Sequence, residues 1–192
     1  MCMPVIKNDG LLLAVLMVAA LNRSYYSVWQ ILLHWLSAVV IIWATLSGFY
    51  LALLEVGSDV AANVAAFNVA VTTLFIPLFI LRCYFRVRWP VSVSCVAAPN
   101  HERAVKVVHN SLYGVTALVL VTGVLMMDRP VEVFSWFSFT QPLHDQSLQR
   151  IFNVVHGIAC AILALLIAIH VAAVIRHVCA GRPVLKRMWF SS

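Results

Sequence analysis

The sequence predicts an all-α fold: an integral membrane four-helix bundle. Three observations carry that reading. Hydrophobic residues make up 63% of the 192-residue chain and charged residues only 10%. A soluble domain keeps roughly 25% charged residues, so this surface must face something other than water. Four stretches lack Asp, Glu, Lys and Arg altogether: Ser24–Leu54, Val60–Leu81, Val107–Met127 and Ile151–Ile175, of 31, 22, 21 and 25 residues. About 20 apolar residues cross a bilayer core. Finally, the charges between the stretches alternate in sign. Eleven of the thirteen basic residues fall on one side, leaving Arg129 and Arg150 on the other with Glu55, Asp59, Asp128, Glu132 and Asp145. By the positive-inside rule both termini are expected in the cytoplasm. This distribution also argues against reading the net charge of +6 as a nucleic-acid surface.

Residues 1–24 are read as an N-terminal extension. The run "LLLAVLMVAAL" after Lys7 has the length of a signal-peptide core and is too short to span. Cleavage there would leave Arg23 outside and invert the charge pattern, so a start at Met17 is preferred, with no function for the front end. N-terminal sequencing that found a terminus just after Leu21 would refute this. Residues 25–192 form one domain without internal repeat, its spans at about 28–54, 61–83, 106–127 and 151–175. The short connection Glu55–Asp59, with Gly57 and Ser58, makes the first two helices antiparallel neighbours. Pro77 is tolerated within a membrane helix. Pro90 and Pro99 stop helices on either side of the loop "RVRWPVSVSCVAAPNHER". In the long outer loop, Phe134, Trp136, Phe137 and Phe139 alternate with smaller residues, as an interfacial aromatic belt would, so this loop is expected to cap the outer face. Cys2, Cys83, Cys95, Cys160 and Cys179 show neither CxxC spacing nor a case for pairing.

The seven histidines carry the chemistry. His101 and His144 fall in loops and are read as solvated. His34, His109, His156 and His170 lie inside spans, and His177 just beyond the last one. An ionisable residue inside a span is costly and points to function. His156 and His170 are fourteen residues apart, which on an ideal helix returns to within about 40° of the same face, about 21 Å further along the axis. One helix face therefore offers a ring nitrogen near each membrane surface. That suits two haems with two axial ligands each, whereas a zinc site would gather its ligands within a turn or two. By depth His34 and His170 share the cytoplasmic half and can meet across one iron. The partner of His156 should come early in the second helix, where "NVAAFNVAV" provides Asn63 and Asn68 and no histidine. His109 and His177 lie at the depth of the His34–His170 pair, and two readings stay open for them: a quinone or proton-handling site, or contact with haem propionates or lipid headgroups. Arg82 and Arg176 could pair with propionates, though snorkelling at a helix end is the commoner event.

From Tyr25 to Trp189 the chain resembles the bacterial cytochrome b561 family. The resemblance rests on "YYSVWQILLHW" opening the first helix, "LRCYFRVRWP" closing the second, "HNSLYGVTALVLVTGVLMM" in the third, and the two histidines of the fourth. It implies a four-helix bacterial inner-membrane cytochrome with b-type haem, carrying electrons between the quinone pool and an outer-face partner. Ubiquinone, superoxide or a soluble carrier are the implied reactants, and nothing in the chain selects among them. It also implies His34 paired with His170, and a second-helix histidine paired with His156. Aligned on "LRCYFRVRWP", that last position is Asn68, fourteen residues before Arg82. Asn is a poor haem ligand, which leaves three arrangements for the outer site. Either His156 alone holds a haem with an open position, or Met126 or Met127 substitutes, or the haem is absent. A vacant or altered seat is expected over ordinary six-coordination. The alternative function is a haem-poor membrane-anchor or assembly subunit, against which the matched His34 and His170 argue. A histidine proton relay in a transporter is weaker still, since no acidic residue lies within the spans. No carboxylate pair, nucleophilic triad or phosphate loop suggests hydrolytic chemistry.

Overall fold

Four long apolar helices make up the fold: α1 (Val28–Leu53), α2 (Asp59–Arg88), α3 (Pro99–Leu125) and α4 (Gln146–Cys179). A short antiparallel hairpin, β1 (Val131–Val133) with β2 (Phe137–Phe139), lies between α3 and α4. A 3₁₀ turn at Leu185–Met188 follows α4. The computed structural model describes residues 26–53, 59–90, 99–133, 137–181 and 185–188. The apolar run of residues 11–21, the start at Met17, Glu55, Gly57, Ser58, most of the loop between Pro90 and Pro99, Phe134, Trp136 and Arg182 lie outside the described residues. All four helices are long and apolar enough to cross a membrane, with 11–17% of the residues in each apolar window buried within the chain. Side chains such as Val39, Leu46, Ile80, Val121, Val154 and Leu165 stand exposed around the bundle. On a soluble protein that surface would aggregate; in a bilayer it is the lipid face.

Local chemistry sets the helix ends. Ser27 and Gln30 form a capping box at α1: Ser27 N–H donates to Gln30 Oε1 and Gln30 N–H to Ser27 Oγ. The same Gln30 amide donates to the carbonyls of Phe85 and Trp89, tying the start of α1 to the end of α2. Asp145 caps α4 by accepting from Ser147 and Leu148 N–H. Gln149 then ties α4 to the chain before it through the carbonyls of Met127 and Leu143. Beyond α4, Gly181 takes a positive φ of 73° that only glycine adopts freely.

α1 packs mainly on α2 and α3 on α4, with a lighter α2–α3 contact. Between them sit Ile31, Leu33, Ala70, Phe75, Phe79, Ala159 and Leu163. The buried hydroxyls of Ser37, Ser47 and Thr122 donate to carbonyls one turn back on their own helices. Hydrocarbon supplies no partner for a hydroxyl, and this back-bonding removes the need for one.

Three features differ from the sequence expectation. Three of the four helices overrun the charge-free stretches, because an aqueous or headgroup-level turn can carry charges such as Arg86 and Arg88 without leaving the helix. Pro99 begins α3 instead of merely separating helices, since its missing N–H falls where a helix has no acceptor for it. His101 therefore lies in the first turn of α3, not in a loop. The capping loop contains a hairpin whose Phe137 and Phe139 are exposed on one side, while Val133 is buried and β1 packs on α2. Alternation in "FSF" is the period-two mark of a strand, over a span too short to distinguish from a belt.

Candidate functional site

The titratable side chains within the bundle gather at two depths. At the basic end, Arg82 of α2 is the hub. Its Nη2 donates to His34 Nδ1 at 2.9 Å and its Nε to the Tyr113 hydroxyl at 3.0 Å. Its guanidinium also stands over the Tyr113 ring, 5.1 Å from the centroid. The Arg86 guanidinium lies 4.2 Å from the centroid of the same ring and donates to Asn110 Oδ1. On the far side of the cluster His109 and His170 meet edge to face, ring centroids 5.3 Å apart. His34 lies within electrostatic reach of Arg82, His170 and His109. The sequence grouped His34, His170 and His109 by depth, and they are neighbours here. His177, half-buried, follows near the end of α4. Arg176 is exposed, as a snorkelling arginine would be, whereas Arg82 turns inward.

Proton positions follow from the partners. Arginine has no acceptor, so His34 Nδ1 accepts and the ring's proton sits on Nε2. His109 is the reverse: Nδ1 is 2.9 Å from the Val105 carbonyl, which can only accept, so Nδ1 donates and Nε2 keeps its lone pair.

At the opposite end a cavity of about 300 Å³ is lined from all four helices, at the lower limit of small-molecule sites. His156 of α4 and Asn68 of α2 both border it, with Gly48, Gly123 and Gly157 among its small walls. His156 Nδ1 stands 3.1 Å from the Val119 carbonyl and 3.1 Å from Thr122 Oγ1. The Thr122 hydroxyl proton already goes to Leu118, so the imidazole is the donor. Nε2 is left with its lone pair, 3.4 Å from Cys160 Sγ. A metal-binding imidazole has this arrangement, its other N–H anchored on a carbonyl. Gly123 makes it fit, because a Cβ there would come within 3.2 Å of His156 Cε1. At Gly48 and Gly157 a Cβ would meet nothing within 4 Å. Asn68 Oδ1 is buried with no hydrogen-bond partner, a state that costs about 1–3 kcal/mol. Met126 and Met127 also border the cavity, whereas Asn63 is exposed.

An aromatic column links the two levels. Phe75, on the cavity wall, is 5.8 Å from Phe79, and Phe79 is 5.9 Å from Tyr113 in the basic-end cluster.

A family model for prokaryotic cytochrome b561 matches residues 25–191. The chain belongs to that family. A search of curated proteins returns no match. As a prokaryotic cytochrome b561, this is a multi-pass bacterial membrane protein that binds b-type haem and transfers electrons. The residues present can be tested against haem at each level. In the cavity the fit holds on the α4 side, where His156 is preset in the ligand tautomer beside glycine walls. It fails on the α2 side, where Asn68 brings an amide. At the basic end both imidazoles are at hand, and Arg82 must leave His34 Nδ1 before that ring can present Nε2 to a metal.

Sequence reasoning missed the Val119 carbonyl, Thr122, Gly123, Tyr113 and the inward turn of Arg82. A backbone carbonyl has no residue signature at all. The only available signal was a glycine in "VTGVL", unremarked because glycine is frequent in membrane helices.

Proposed function

We propose that this cytochrome b561 carries electrons between a membrane quinone and a partner at the opposite face. His34 and His170 hold one haem b at the basic, cytoplasmic end, and His156 carries a second towards the outer face. The haem supplies one-electron chemistry when bound. The chain's own residues do the rest. His156 keeps its ligating nitrogen ready through the Val119 carbonyl. Arg82, released from His34, is placed to meet a propionate carboxylate, where a planar guanidinium binds in two points. Phe75, Phe79 and Tyr113 pack the interval between the levels and exclude water from it. His109, whose Nδ1 proton is committed to Val105, offers Nε2 as an acceptor to a quinol hydroxyl, with His177 nearby along the same helix end as His170.

The observation that most supports this reading is the preset tautomer of His156, a device a bare scaffold has no use for. The experiment is anaerobic addition of a water-soluble ubiquinol analogue to the purified full chain in detergent. Reduction of the haem bands, slowed severalfold by His109→Leu at unchanged haem content, is expected. Haem that only dithionite can reduce would refute the quinone assignment. Protein purified without haem would refute the whole reading.

A further inference from the structure

We propose that the cavity beside His156 takes a small exogenous ligand of one or two heavy atoms, held between the haem on His156 and the amide of Asn68. The proposal rests on the reading that His156 carries a haem, and goes beyond it by assigning the second axial face.

On the α2 wall of the cavity stand Asn68, Val69, Thr72, Thr73, Phe75 and Ile76, with no imidazole among them. The two threonines are spoken for: Thr72 Oγ1 donates to the Asn68 and Val69 carbonyls, and Thr73 Oγ1 to the Val69 carbonyl. Asn68 is different. Its side-chain oxygen is buried and without a partner, the one such atom among the described residues. An amide oxygen is a hard and weak donor to iron, so it does not replace an imidazole as a ligand. It is also one atom shorter than an imidazole, so it stops short of the place an Nε2 would occupy. Towards such a guest the amide is well suited. Its oxygen accepts a hydrogen bond, and turned over, its NH₂ donates one. Either way the guest satisfies the orphaned group. Much of the remaining wall (Val40, Ile41, Ala44, Val119, Leu120) is apolar, with Thr45, Thr116 and Asn153 its other polar members, which favours small uncharged or singly charged guests over larger polar ones.

Carbon monoxide on the dithionite-reduced full chain tests this, with haem per polypeptide measured alongside. Wild type should hold close to two haems, of which half responds to carbon monoxide and half is high-spin when oxidised. His156→Ala should lose the responsive haem, and His34→Ala should keep it. Asn68→His should turn that haem low-spin and abolish the response. Asn68→Leu, which keeps the volume, should still respond but bind cyanide in the oxidised state about tenfold more weakly, the worth of one hydrogen bond. Two wholly low-spin haems without a response would overturn the proposal, and would point to Met126 or Met127 as the sixth ligand. A wild type that holds a single haem, unchanged in His156→Ala, would also overturn it, while leaving the His34–His170 reading standing. No haem in the wild type would overturn that reading itself.

Discussion

Arg82 donates from Nη2 to Nδ1 of His34 across the α1–α2 interface at 2.9 Å. One guanidinium thereby fixes the tautomer of an imidazole, holds the Tyr113 hydroxyl and faces the Tyr113 ring. Three helices meet on it.

Replacing Arg82 with Gln should therefore act in two ways. Hydrogen bonds to a charged donor are worth about 1.5–3 kcal/mol, so the apo protein should melt at lower temperature in detergent. A positive charge beside a haem favours its reduced form, so the midpoint potential of the basic-end haem should fall. A charge effect of about 1.4 kcal/mol corresponds to roughly 60 mV for one electron. Spectroelectrochemical titration of the variant measures it, and a rise in potential would contradict the placement of Arg82.

Gly123 faces His156 so closely that even a methyl group must displace the ring. Gly123→Ala should loosen the His156–Val119 bond and weaken retention of the outer haem by roughly 10- to 100-fold, the usual cost of disturbing a group that orients a ligand. The basic-end haem should be unaffected. Gly48→Val differs in kind: the structure has room for its Cβ, so the protein should fold and melt normally while the side chain narrows the cavity. Haem titration of both apo variants, with melting curves, distinguishes the two.

Orientation can be read from cysteines. Cys179 is exposed and Cys83 half-buried, both at the basic end, and Cys160 lies on the cavity wall. With the basic end in the cytoplasm, a membrane-impermeant maleimide should label Cys179 in inside-out vesicles and not in intact spheroplasts. The opposite pattern would reverse the topology. Cys160→Ala should leave haem content intact, because the thiol touches His156 Nε2 as a hydrogen-bond neighbour that rotates away.

Within the cavity wall, Thr122→Val keeps shape and removes one of two acceptors for His156 Nδ1. The Val119 carbonyl remains, so outer-haem affinity should drop by about tenfold at most. Full loss of that haem would mean that Thr122, rather than the backbone, orients the ring.

The four helices were legible because hydrocarbon imposes length and excludes charge, and both are written directly in the residues. Depth was legible for the same reason: counting from Arg150 and Arg176 put His156 and His170 at opposite ends, and His34 and His109 beside the latter. Direction was not legible. Arg82 and Arg176 look alike in sequence, yet one turns inward to His34 and the other is exposed. The difference arises from Tyr113 on a helix α2 meets only in space. His101 was misplaced because proline closes one helix and opens the next, and the residue alone does not say which. The hairpin after α3 was hidden by its brevity, three residues a strand.

The most direct test of the account is haem per polypeptide, with reduced-minus-oxidised spectra, on detergent-purified wild type, His34→Ala and His156→Ala. The account predicts close to two for the wild type and close to one for each variant, with the low-spin haem lost in His34→Ala and the high-spin haem lost in His156→Ala. A wild-type value near one that vanishes in His34→Ala and persists in His156→Ala would contradict it, leaving the cavity beside Asn68 without a haem.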